Sequence, residues 1–110
     1  MKMIISEHEF HVIDASTFGK RLIGLMGKME LSENEVMVLR PCSSIHTCFM
    51  KFAIDVVFLD KENKVVETIE NLVPWKLNAY SKGAYQVVEM AVGSVQSAGI
   101  EKNMVVRFEG

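Results

Sequence analysis

Hydrophobic positions in this chain fall in short runs, most of them alternating with polar ones, the period that sends successive side chains to opposite faces of a strand. Residues 9–15 alternate in this way, with Phe10, Val12 and Ala15 on the inward side. The period then changes. Phe18, Leu22, Leu25 and Met26 lie at i, i+4, i+7 and i+8, one apolar stripe of a helix over 17–26. Ser16 is placed to cap that helix and Gly27 to stop it. Gly19 and Gly24 inside it each cost about 1 kcal/mol relative to alanine, so tertiary packing must hold it.

After a polar connection over 28–35, a short strand over 36–39 is ended by Pro41, whose missing N–H confines it to an edge or a turn. Further strands are predicted over 44–50 and 54–60. Lys-Glu-Asn-Lys at 61–64 reads as a turn, and 65–69 returns as the partner strand, which makes 54–69 the best hairpin in the chain. Residues 71–82 hold Pro74, Trp75, Asn78 and Ser81 and read as a long loop. A strand over 85–92 is apolar on both faces apart from Gln86 and Glu89. A helical turn over 93–98, closed by Gly99, and a last strand over 104–109 complete the chain. The expected fold is mainly β: a small β-barrel or β-sandwich of six to seven short strands with one or two short helices. Strands apolar on both faces fit a closed sheet whose outside is covered by the helix and loops.

Composition narrows the function classes. The 110 residues amount to a single domain over 1–110, and 49% hydrophobic against 24% charged residues suffices for one core. A net charge of −2 with no basic stripe argues against a nucleic-acid partner. Neither a membrane-spanning run nor a basic amphipathic anchor is visible, so no membrane partner is expected. The N-terminal residues lack the apolar core and cleavage site of a signal peptide, which makes a cytoplasmic setting with reduced thiols the expectation. Cys42 and Cys48 would stand roughly 20 Å apart on an extended segment. Bridged Cα atoms lie at about 4.4–6.8 Å, so both read as free thiols.

Most of the chemically capable side chains sit between Arg40 and Asp60. If 42–50 is extended, Cys42, Ser44, His46, Cys48 and Met50 share one side, while Ile45, Thr47 and Phe49 face the core. Three functional readings follow. Cys42, His46, Cys48 and Met50 are soft ligands suited to Cu(I), less well to zinc, although strand neighbours about 7 Å apart do not close a tetrahedron unaided. Cys48 or Ser44 could act as nucleophile with His46 as base and Asp55 as orienting acid, but no nucleophile elbow accompanies them. Alternatively, the face lines a groove that binds without chemistry. Against all three stands a purely structural reading of buried thiols, a core methionine and a hydrogen-bonded histidine. Asp55 and Glu89 each interrupt an apolar run and need partners. Lys51 would serve Asp55, and Arg107 or a backbone N–H would serve Glu89. Trp75 is either a rim residue or a hydrophobic plug.

Several motifs in order resemble one family. These are Gly-Leu-Met at 24–26, H-T-C-F-M-K-F-A-I-D-V-V-F-L-D at 46–60, K-V-V-E at 64–67, N-L-V-P-W at 71–75 and V-E-M-A-V-G at 88–93, followed by Gly-Ile at 99–100. Across about residues 17–108 the chain is similar to the uncharacterised prokaryotic family called domain of unknown function 192. The resemblance implies a compact, mainly β fold with one or two short helices. It places His46, Met50, Lys51, Asp55, Glu89 and Gly93 where the family's recurring motif residues stand. Many members look exported behind a signal peptide or lipoprotein anchor, and this chain departs from them there.

The combined reading is a non-catalytic module binding a small molecule or peptide, with no cofactor called for. Its groove lies at the segment from His46 to Asp55 and uses His46, Met50, Lys51, Asp55, Trp75 and Glu89. The alternatives are a metal-handling protein or hydrolase using Cys42, His46 and Cys48, and an assembly protein using a strand edge next to Pro41.

Overall fold

The computed structural model describes residues 1–14, 31–45, 47, 52–76 and 79–110, which form nine strands and one helical turn. The helix expected over 17–26 lies outside the described residues. In chain order the strands are β1 (Lys2–Ile5), β2 (His8–Asp14), β3 (Glu35–Leu39), β4 (Ser44–Ile45), β5 (Ile54–Leu59), β6 (Val65–Leu72), β7 (Ala79–Tyr80), β8 (Gln86–Ala91) and β9 (Arg107–Glu109). The helical turn α1 (Ser94–Ser97) follows β8 and is closed by Gly99 at φ 64°.

Seven strands form one sheet in the order β6-β5-β8-β3-β2-β1-β9, and β4 pairs with β7 in a separate ribbon. Every pairing in the large sheet is antiparallel except β2 with β3. A parallel pair needs a long crossover, here supplied by the stretch between Asp14 and Glu35. The sheet curls until its two edges meet at one end. There Lys64 bridges Val105, and Val65 N–H donates to Met104 O at 2.8 Å. The result is a half-barrel with an inside and an outside.

Both faces are apolar. Met3, Ile5, Val36, Val57, Leu59, Val88 and Met90 fill the inside, with Val95 and Ile100 packed over them. Met37, Leu39, Ile54, Val56, Phe58 and Val87 form the outer cluster, overlaid by Leu31, Ala79, Ile45 and Phe52. The unbroken apolar runs of β3, β5 and β8 follow from this double burial, as the sequence pattern implied.

Three features were not visible in the pattern. The first residues form a hairpin: β1 folds onto β2 through a turn at Ser6 (φ 53°), and Met3 and Ile5 are each 1% exposed. Three successive apolar residues carry no alternation to read. β4 and β7 have two residues each, too few for any period, and β7 with the end of β6 breaks up the loop expected over 71–82. β3, thirdly, is flanked by β2 and β8, so the strand next to Pro41 is central and offers no edge for assembly. Pro41 takes the turn position beyond it, after a cis peptide bond. Among the described residues no helix is long and apolar enough to cross a membrane.

Candidate functional site

The register gathers one set of chain ends. Ile54 at the start of β5 pairs with Leu72 at the end of β6 and with Ala91 at the end of β8. Val36 pairs with Met90, so the lead-in to β3 lies at the same end. Just beyond this row a cleft of about 260 Å³ opens, lined by Leu31, Ser32, Glu33, Phe52, Ala53, Ala91 and Val92. The segment from His46 to Lys51 runs in sequence straight into Phe52 and Ala53.

Asp55 organises this end. It is fully buried on the inner side, opposite Met90. Its Oδ1 accepts the Asn71 N–H at 2.9 Å, and its Oδ2 accepts those of Gly93 at 3.1 Å and Val95 at 3.0 Å. A register shift between Ile54 and Val56 sets two β6 residues against Asp55, which turns Asn71 (φ 54°) out of the ladder and onto the carboxylate. Gly93, at φ 93°, turns the chain from β8 into α1 without a side-chain cap. Asp55 supplies the cap from another strand, and an anionic acceptor suits the positive end of a helical turn. Its partners are therefore three backbone donors.

Glu89 leaves the sheet on the other face. It is 3% exposed and stands opposite Met37 and Val56, both of the outer cluster. The two carboxylates thus do not converge, because an odd separation along paired strands sends them to opposite sides. Glu89 lies on the side of Ala91, two residues from the cleft wall. Arg107 pairs instead with Glu109 on β9, at 2.8 Å.

Thr47 carries a role that the strand expected over 44–50 concealed, since β4 ends at Ile45 and Thr47 lies beyond it. It is fully buried, as expected of a core-facing position, and it clamps the turn at 73–76. Its N–H donates to Lys76 O (2.9 Å) and its carbonyl accepts the Trp75 N–H (3.0 Å). Its hydroxyl donates to Val73 O (2.7 Å) and accepts the Lys76 N–H (2.8 Å). The clamped turn holds Trp75 at φ 68°, a left-handed conformation rare for a bulky residue, with 61% of its surface exposed. Trp75 is three residues past Leu72, at the cleft end of the sheet.

Between residues 42 and 47 the expected alternation holds in part. Ser44 is exposed, Ile45 packs on the outer cluster and Thr47 is buried. Cys42 does not share the side of Ser44; it is a free, half-buried thiol packed against the outer cluster, its Sγ donating to Ser44 O at 3.0 Å. Arg40, Pro41 and Ser43 are bends, so alternation begins only at Ser44. His46, Cys48, Met50 and Lys51 lie outside the described residues. Leu31, Phe52, Ala53 and Ala91 line the cleft without any chemical signature that a sequence could expose.

A curled, mainly β half-barrel with a strand-end cleft defines the class. The domain of unknown function 192, described as an uncharacterized ACR, matches residues 1–108, and the chain belongs to that family. The match takes in the N-terminal hairpin that the motifs alone had left out. Among its relatives, the UPF0127 protein TK1120 of Thermococcus kodakarensis is 33% identical over 98 residues, 86% of this chain and 62% of the relative. A UPF0127 protein of Thermococcus sibiricus is 35% identical over 91 residues, 79% of this chain and 58% of the relative. The chain thus spans about three fifths of the length of these two curated relatives. A crystal structure of a protein of unknown function from Novosphingobium aromaticivorans superposes with a TM-score of 0.85 at 21% identity, covering 97% of this chain and 84% of that one. A putative transcription regulator from Sinorhizobium meliloti gives 0.83 at 18% identity, covering 96% and 89%. At such identities the likeness establishes the fold.

Proposed function

We propose that the protein is a non-catalytic binding module whose ligand site is the cleft at the shared end of β3, β8, β5 and β6. The observation that carries this reading is a cleft of about 260 Å³ whose surrounding chain ends, Asn71 and Gly93 to Val95, are anchored to one buried carboxylate. Preorganised walls lower the ordering cost of binding. Leu31, Phe52, Ala53, Ala91 and Val92 supply apolar contact, with Ser32 and Glu33 at the rim. Asp55 acts through the backbone it holds. Trp75 stands at the same end as a rim contact, and Glu89 lies behind the wall at Ala91. His46, Met50 and Lys51 join the set because their segment leads directly into Phe52.

A fragment screen followed by amide chemical shifts tests the reading. Binders should move the signals of Leu31, Phe52, Ala53 and Ala91, and Ala53→Leu, which narrows the cleft, should weaken them. Fragments that never perturb these residues would overturn it. So would a stoichiometric soft metal in protein purified without a His tag, which supports metal handling at Cys42, His46 and Cys48 instead.

A further inference from the structure

We infer that the open edge of β6 is a docking site for a basic extended peptide, which adds to the sheet as a further strand. This surface is separate from the cleft. β6 ends the seven-stranded sheet, with β5 as its one neighbour there. Its other side is closed only at the start, where Val65 bonds Met104 and Asn103. From Val66 to Glu70 no backbone hydrogen bond is made on that side among the described residues. Backbone groups along a strand point alternately to either side, so this stretch presents a free ladder.

Its side chains suit a strand of opposite charge. Val66, Thr68 and Ile69 are half-exposed, and Val66 and Ile69 pack against the outer cluster, so an added strand gains apolar contact. Glu67 and Glu70 are exposed and enter no hydrogen bond or ion pair among the described residues. Lys64, at the seam, and Lys102, next to Asn103, pair with neither carboxylate. No lysine or arginine lies between Lys64 and Lys76 in sequence. A second copy is a poor occupant. Antiparallel pairing about Thr68 and Ile69 would set Glu67 against Glu70, and like charges directly opposite are destabilising. The carboxylates that blunt self-association thus favour a strand with lysine or arginine at those positions. Register fixes the spacing: two bases three residues apart, with β-branched residues between them.

Titration of the full chain with acetyl-Thr-Lys-Val-Thr-Lys-Val-amide and acetyl-Thr-Glu-Val-Thr-Glu-Val-amide, followed by amide shifts and amide exchange, tests this. The lysine peptide should shift the signals of Val66 to Glu70 and slow exchange of the outward amides there. It should bind about tenfold more tightly than the glutamate peptide, the scale of two exposed ion pairs set against two repulsions. Glu67→Lys combined with Glu70→Lys, exposed substitutions whose folding is checked by circular dichroism, should reverse the preference. Equal binding of the two peptides, shifts confined to residues outside β6, shifts without slowed exchange, or no shift at all overturns the proposal. So does concentration-dependent dimerisation that protects the same amides, which would give the edge to a second copy. None of these outcomes bears on the cleft.

Discussion

Asp55 shows how a single side chain can set the geometry of a site it does not line. Fully buried, it gives three backbone N–H groups their acceptor. Asp55→Ala should cost roughly 3–5 kcal/mol, because each orphaned buried donor carries about 1–3 kcal/mol. Asp55→Asn, which keeps one carbonyl acceptor, should cost about 2 kcal/mol. Urea unfolding monitored by circular dichroism measures both, and a loss below 1 kcal/mol for the alanine variant would contradict the role. Gly93 belongs to the same device. Nothing lies within 4 Å of where a Cβ would sit, so Gly93→Ala meets only the strain of φ 93°. That strain should lower stability by about 1–2 kcal/mol without steric conflict, which the midpoint of the same titration reads. As a motif residue Gly93 was legible in the sequence. That its N–H points at Asp55 was not, since the two are 38 positions apart.

At the scale of elements, the hairpin of β5 and β6 and the helical turn after β8 follow directly from local pattern. Asp60 secures the hairpin turn, its Oδ1 accepting the N–H groups of Glu62 at 2.9 Å and Lys64 at 3.0 Å. The Trp75 turn has a different origin. A strained tryptophan persists only where surroundings over-determine it, and four hydrogen bonds from Thr47 do so. Thr47→Val keeps the shape and removes the hydroxyl, leaving Val73 O and the Lys76 N–H without it. A loss of about 1–3 kcal/mol is expected. Trp75 is the sole tryptophan, so its fluorescence anisotropy should fall in that variant; unchanged anisotropy would show the turn to be held otherwise. Gln86, read from sequence only as an exception in an apolar strand, proves to be a buried junction. It accepts the Arg40 Nε–H at 2.9 Å and donates to Asp60 O at 3.1 Å and Asn63 Oδ1 at 2.6 Å.

For the molecule as a whole, stability should be graded across the sheet. β3, β5 and β8 are buried on both faces and paired on both sides, whereas β9 is a three-residue edge and β4 with β7 form a two-residue ribbon. Amide exchange should therefore be slowest at Val38, Val57 and Val88 and much faster at Phe108 and Ile45. Comparable protection in β9 and β5 would mean that the seam at Lys64 and Val105 closes the barrel more tightly than one bridge suggests.

The sequence by itself determined the mainly β class, the central hairpin, the doubly apolar strands and the family, because these rest on local period and on motifs in fixed order. Only the tertiary structure decided that β1 enters the sheet, that β2 and β3 run parallel, and that Asp55 and Glu89 face opposite ways. It also decided which residues, Leu31 and Phe52 among them, border the cleft. Those properties depend on register between strands distant in the chain, and register is a relation between segments that no single segment encodes.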